Sequence, residues 1–296
     1  MRIAITGSSG LIGTALRERL STAGHDVVRL VRSASSEPGT IQWDPRAGTI
    51  DAAGLEGVDA VVHLAGAGIG DQRWTDERKA EIRDSRTLGT SLLARTLAGL
   101  DRKPSVFISG SAVGWYADTG STAVDESGAP GADFPASVAH DWEAAAAPAV
   151  DAGIRTVFIR TGIVLSPEGG ALKKQLPIFK LGAGGRFGSG DQYQPWISID
   201  DEIGAIEWLL DADVEGPVNL TAPEPVTNAA FTKALGRVLH RPTFIVPMLG
   251  PRLLLGRELA DSLLLTSLRV LPGKLEAGGY RFAHPDLDGA LHHLLD

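Results

Sequence analysis

The chain contains no cysteine in 296 residues. That absence excludes disulfides, thiol nucleophiles and cysteine-ligated zinc together, and it fits a cytoplasmic protein. Basic runs are missing as well. The nearest approach is the pair Lys173-Lys174, and the formal net charge is −8 at pH 7. A nucleic acid or other polyanion is therefore not the expected partner. Long apolar runs are absent too: the most apolar late stretch, Leu249 to Leu265, is interrupted by Arg252, Arg257, Glu258 and Asp261. It is no membrane span. The first strand begins at residue 2 or 3, which leaves no room for a secretory leader.

The chain does carry a phosphate-binding turn in its first thirteen residues. Ile3-Ala4-Ile5 reads as a buried strand, and Ala15 to Leu20 reads as an amphipathic helix. Between them lie Gly7, Ser9, Gly10, Leu11, Ile12 and Gly13. Gly7 permits the tight turn, Gly10 lets a pyrophosphate approach the backbone, and Gly13 allows close packing of the helix. The helix N-terminus then offers unpaired N–H groups to phosphate. Strand, glycines and helix in this order predict a dinucleotide site.

The end of the second strand selects the dinucleotide. Asp26 to Val31 forms that strand, and its tip reads Val31-Arg32-Ser33. An acidic residue there would accept hydrogen bonds from the adenine ribose. Here Arg32 offers a guanidinium for a 2′-phosphate. The expected cofactor is NADP, with NADPH preferred over NADH.

Strands and helices alternate through about residue 165. The third strand, Thr40 to Trp43, is followed by Asp44, and the fourth, Ala60 to Ala65, closes on Gly66. A helix spans about Asp76 to Gly99, the fifth strand is Ser105 to Ser109, another helix covers Ser137 to Asp151, and the sixth strand is Arg155 to Arg160. Such βαβ order predicts an α/β, Rossmann-like doubly wound parallel sheet with ligands at the strands' carboxyl ends. Asp44, Leu64, Ala65, Gly66, Ser109, Arg160 and Gly162 stand at those ends and are expected to line the cofactor. Arg160 reads equally well as a salt bridge inside the sheet or as a contact to the substrate. After Leu165 regularity weakens, glycines crowd positions 182 to 190, and prolines punctuate the rest. The expected organisation is a binding domain over 1–235, with its Rossmann core over about 1–165, and a small C-terminal domain over 245–296.

With these residues placed, the chain resembles the extended short-chain dehydrogenase/reductases. The glycine spacing, Val62-His63-Leu64-Ala65-Gly66 and Trp196-Ile197-Ser198-Ile199-Asp200-Asp201 carry that resemblance. It is most similar to an atypical "epimerase family" branch (NAD-dependent epimerase/dehydratase-like) with a C-terminal domain of unknown function. Ser109 to Tyr116, Arg160 to Leu165, Gly188 to Gln192 and the tail from Arg257 to Phe282 point to that branch. The resemblance implies a reductase or epimerase acting on a small polar, sugar-derived substrate, and a homodimer as the default assembly.

The superfamily's chemistry implies a tyrosine with a lysine four residues later on one helical face. The three tyrosines, Tyr116, Tyr193 and Tyr280, are followed at that spacing by Gly120, Ile197 and His284. There is no Tyr–Lys pair. The resemblance places Ser111 where the superfamily's catalytic serine stands. Tyr116 offers a second phenol, against a structural aromatic at the lobe interface. His140, Asp141 and Glu143 read either as a replacement base or as a solvated helix face with Trp142 turned inward. Arg186, Gln192 and Trp196 read as a loop roofing the cleft or as mobile surface. His63 reads as packing, the remaining histidines form no ligand cluster, and no metal site is expected. The alternative to an enzyme is a non-catalytic NADP(H) sensor or regulatory protein.

Overall fold

The computed structural model describes residues 1–33 and 37–296. Its frame is one eight-stranded sheet: β1 (Arg2–Thr6), β2 (Asp26–Val31), β3 (Thr40–Asp44), β4 (Thr49–Ile50), β5 (Ala60–His63), β6 (Val106–Ala112), β7 (Arg155–Thr161) and β8 (Gly216–Leu220), in the order β8-β7-β6-β5-β1-β2-β3-β4. All neighbours are parallel except β3 and β4. Chain order reverses between β1 and β5, and a doubly wound sheet opens its crevice at that point.

Helices cover both faces, which explains why the strands are continuously apolar. On one face α1 (Leu11–Thr22) packs Leu16 and Leu20 over Ile3, Ile5, Val62 and Ile108. The other face buries Leu92, Leu93 and Leu97 of α2 (Asp76–Ala98) over Ala4, Val28, Val61 and Phe107. Thr75 caps α2 by accepting from the Arg78 N–H, and Asp76 and Glu77 fill the first turn, where acidic residues complement the helix dipole.

The helix expected over Ser137 to Asp151 is two helices, α3 (Phe134–Ala144) and α4 (Ala147–Asp151). Asp133 caps α3 with Pro135 in its first turn, and Pro148 opens α4. β6 continues past the expected Ser109 end to Ala112, because Gly110 leaves room for Trp142; a Cβ there would lie 2.6 Å from the indole. Later come α5 (Gly170–Lys180), α6 (Ile199–Asp211), α7 (Asn228–Val238), α8 (Leu249–Leu255), α9 (Arg257–Leu264), α10 (Gly273–Ala277) and α11 (Leu287–Leu295). Sequence periodicity does not announce β8. Its Pro217 is tolerated because the strand lies at the sheet's edge. Among the described residues no helix is long and apolar enough to cross a membrane.

Candidate cofactor groove and active-site cleft

The turn from β1 into α1 is made of backbone. Gly7 has φ +66°, and a Cβ there would stand 2.8 Å from the Leu64 carbonyl. A Cβ on Gly13 would reach 2.2 Å from the Gly7 oxygen. Gly13 is thus required by the turn's own backbone. Gly10 is the N-cap of α1, with no side-chain cap and no acidic residue in the first turn. The N–H groups of Leu11, Ile12 and Gly13 therefore face outward with the helix dipole uncompensated. Ser9 and Gly10 are exposed beside them.

Around this turn, Leu64 and Ala65 donate their N–H groups to the Thr6 hydroxyl at 3.1 and 3.2 Å. With both lone pairs used, Thr6 gives its proton to His63 Nδ1 at 2.7 Å, so Nε2–H donates to Thr90 at 2.9 Å. Burial holds the imidazole neutral, with its pKa lowered to about 3. His63 is a neutral strut under the groove. Arg32 lies exposed just past β2, with no hydrogen bond or ion pair among the described residues. Asp44 is exposed, and its Oδ1 accepts the Arg46 and Ala47 N–H groups at 2.9 and 3.1 Å. Gly66 is exposed, and Gly162 must be glycine because a Cβ would lie 2.3 Å from the Pro195 oxygen.

Four expected site residues belong instead to the interior. Ser109 is 0% exposed and Arg160 2%, so neither side chain has surface to offer a cofactor. Arg160 donates to both oxygens of Glu143, at 2.8 and 3.0 Å, with its guanidinium 3.9 Å over the Trp115 ring. Burial alone would lower the Arg160 pKa, but the bonds and charge of Glu143 outweigh it. Ser111 lies within β6, not past it, and gives its proton to Glu143 at 2.6 Å. Tyr116 donates to Asn219 at 2.7 Å and accepts from Arg160 at 3.0 Å. Burial raises its phenol pKa, against Arg160, which pulls it down. A phenol with its bonding capacity used inside the protein is a strut, not a base. Glu143 is likewise no solvated charge: it ties α3 to the sheet.

The cleft lies beyond the carboxyl ends of β6 and β7, a cavity of about 250 Å³. The face of α3 that borders it carries Pro135, Val138, Ala139 and Trp142, so no tyrosine or lysine looks in from this helix. His140 points away, exposed and stacked on Trp115 at 5.7 Å. Arg83 takes up Asp141 at 3.1 Å. The opposite wall comes from Ile163, Tyr193, Pro195, Leu263, Leu264 and Leu268. The lining is mainly apolar, against the small polar substrate expected. Its two charged members are Asp133, which caps α3 by accepting from Ala136 at 2.9 Å, and Arg86. No sequence signal set Arg86 apart from its neighbours on α2.

Arg186, Gln192 and Trp196 do not form a loose roof. Trp196 is 1% exposed and donates to the Glu224 carbonyl at 3.0 Å. Gln192 donates to the carbonyls of Phe187 and Leu264 at 3.2 and 2.7 Å, and Gly185–Phe187 pairs with Phe244–Val246 as a parallel ladder. The histidines do gather at one place: Asp200, His284 and His293 bring their ligand atoms within 4.8 Å of one another on the surface. His293 reaches Asp200 at 3.2 Å and stacks on His284.

Residues 3–221 match the model of the NAD dependent epimerase/dehydratase family, and residues 246–294 match a domain of unknown function. An epimerase family protein of Mycobacterium bovis is 44% identical over 98% of this chain and 96% of its own length. The crystal structure of human epimerase family protein SDR39U1 (isoform 2) with NADPH superposes with a TM-score of 0.92, at 35% identity over 99% of both chains. A nucleoside-diphosphate sugar epimerase from Corynebacterium glutamicum gives 0.81 at 40% identity, over all of this chain and 58% of that one. The chain belongs to the NAD-dependent epimerase/dehydratase family.

Proposed function

We propose that this protein binds NADP(H) across the β1–α1 turn and acts as an oxidoreductase on a small substrate in the adjoining cleft. The observation that carries the reading is the bare α1 N-terminus, with glycines on one side and, on the other, the exposed Arg32, which has no partner among the described residues. These residues fit the cofactor: Gly7, Gly10 and Gly13 keep Cβ atoms out of the phosphates' path, and the Leu11 to Gly13 N–H groups would hold them. Arg32 would take the 2′-phosphate, and Leu64 to Gly66 would border the groove. The NADPH found with the human relative supports the same choice. NADP(H) supplies or accepts a hydride when bound.

The chain's own contribution is placement and exclusion of water. Trp142, Val138 and the Leu263–Leu264 wall give the cleft a mainly apolar lining, beside which polar interactions strengthen. Fluorescence titration tests the cofactor. Wild-type protein binds NADPH about tenfold or more tightly than NADH, and Arg32→Ala removes most of that difference, as loss of a charge-assisted contact predicts. Equal affinities in the wild type would overturn the assignment.

A second reading, a cofactor-binding regulator without turnover, is favoured by one observation: α3 presents Pro135 and Ala139, four residues apart, to the cleft. A metabolite panel scanned at 340 nm separates the two, since the regulator binds NADPH and oxidises none of it.

A further inference from the structure

Arg86 is a cation without a counter-ion. Its Nη1 donates to the carbonyls of Ala67 and Ile82 at 2.9 and 3.0 Å, and its guanidinium lies 4.9 Å over the Trp142 ring. Among the described residues no carboxylate pairs with it, and nothing accepts from its Nε or Nη2. The neighbouring arginines do find acids: Arg78 pairs with Glu81 and Arg83 with Asp141. Burial, with Arg78 nearby, lowers the Arg86 pKa to about 10, so the group remains charged at neutral pH. Arg86 is half-buried and lines the cleft, and its Nε and Nη2 donors are not sealed inside the protein, so they are open to a ligand there.

The rest of the cleft fixes what such a charge can meet. With Asp133 committed to its helix cap, Arg86 is the cleft's one cation among the described residues, set in a mainly apolar lining whose neutral polar members are Tyr193, Gln194, Ser262 and Thr266. A nucleoside diphosphate needs several cationic or N–H partners for its phosphates, and 250 Å³ is less than the roughly 300–1,000 Å³ of pockets that take drug-sized ligands. We propose that Arg86 is the anion anchor of the substrate subsite, and that the substrate is a small monocarboxylate with a mainly hydrocarbon body, not a nucleotide sugar. A planar carboxylate would take the Nε and Nη2 donors side by side, with its apolar body against Trp142, Val138 and Leu263. This rests on the cofactor reading above.

Calorimetric titration of the NADPH-saturated protein tests it, using hexanoate and 4-methyl-2-oxopentanoate, their amides, and UDP-glucose. The expected result is that the acids bind and the amides bind about 10- to 100-fold more weakly, the range for a charge-assisted pair. Arg86→Met abolishes that preference and Arg86→Lys keeps part of it, while NADPH affinity falls far less than acid affinity in both variants, although the guanidinium packs against Gly66 at the groove's edge. Acids that bind no better than amides, or UDP-glucose binding more tightly than either, would overturn the proposal. So would an NADPH affinity that falls in Arg86→Met as far as the acid affinity does, which would assign Arg86 to a cofactor phosphate. Wild-type protein that binds the acids but no NADPH would leave the anchor standing and remove the cofactor reading on which the substrate class depends.

Discussion

Glu202 is held far from the ordinary chemistry of a glutamate. It is fully buried in the first turn of α6, with Oε1 accepting from the Thr161 hydroxyl at 2.8 Å and Oε2 without a partner. Burial pushes its pKa up to about 8, against the modest pull of Thr161. An acid raised this way holds its proton in the folded state while the unfolded chain has already lost it. Between the ordinary glutamate range and about pH 8 the native state binds more protons, so this group makes stability fall as pH rises. Glu202→Gln keeps the shape and removes the ionisation. Urea melts at pH 5 and pH 9 then show little difference at the lower pH and a gain on the order of a few kcal/mol at the higher one. A variant that gains equally at both pH values would show that Glu202 does not titrate with folding.

At the scale of elements, the Glu143–Arg160 pair joins α3 to β7 and carries Ser111 and Tyr116 with it. Glu143→Ala leaves Arg160 charged and buried without compensation, which costs about 3–5 kcal/mol, whereas replacing both partners with apolar residues recovers most of it. Urea denaturation of Glu143→Ala and of the Glu143→Leu/Arg160→Met double variant measures both values; a single-variant cost below about 1 kcal/mol would mean the pair is not tying the helix down. This pair also marks the limit of what was legible. The turn at Gly7 to Gly13, the main-sheet strands through Arg155 other than the two-residue β4, and the missing Tyr–Lys pair could be read directly, because each depends on local spacing. The partners of Ser111, Tyr116 and Arg160 could not, since they meet across 17 to 103 positions of sequence. Strand β8 was hidden for another reason: an edge strand tolerates Gly216 and Pro217, and those residues read as a loop. The cleft's opposing wall came from Leu263 and Leu264, which in sequence are only two more leucines of an apolar stretch.

Across the whole molecule, the two matched segments share one core. Leu275 of the C-terminal part lies in the same core as Ile3, Val62 and Leu220, with Tyr280 and Phe282 packed against it. Asp201, 1% exposed, fastens the junction: its carboxylate accepts from Ser198 and the His284 N–H at 2.8 and 3.0 Å, and from Tyr280 and the Ala283 N–H at 3.2 and 2.7 Å. The Tyr280 proton is shared with the Asp201 carbonyl at 3.1 Å, and the two backbone N–H bonds bind the C-terminal segment to α6 through a buried acceptor. A shared core transmits loss at one end to the other. Calorimetry of the apo protein therefore shows a single unfolding transition, despite a length at which separate units would be common. Asp201→Asn, whose amide group meets backbone N–H donors, lowers that one transition by about 1–3 kcal/mol of stability per donor left unpaired, without splitting it. Two resolved peaks in the wild type, or a variant in which the C-terminal part melts first while the rest keeps its original midpoint, would show that the cleft's two walls fold independently.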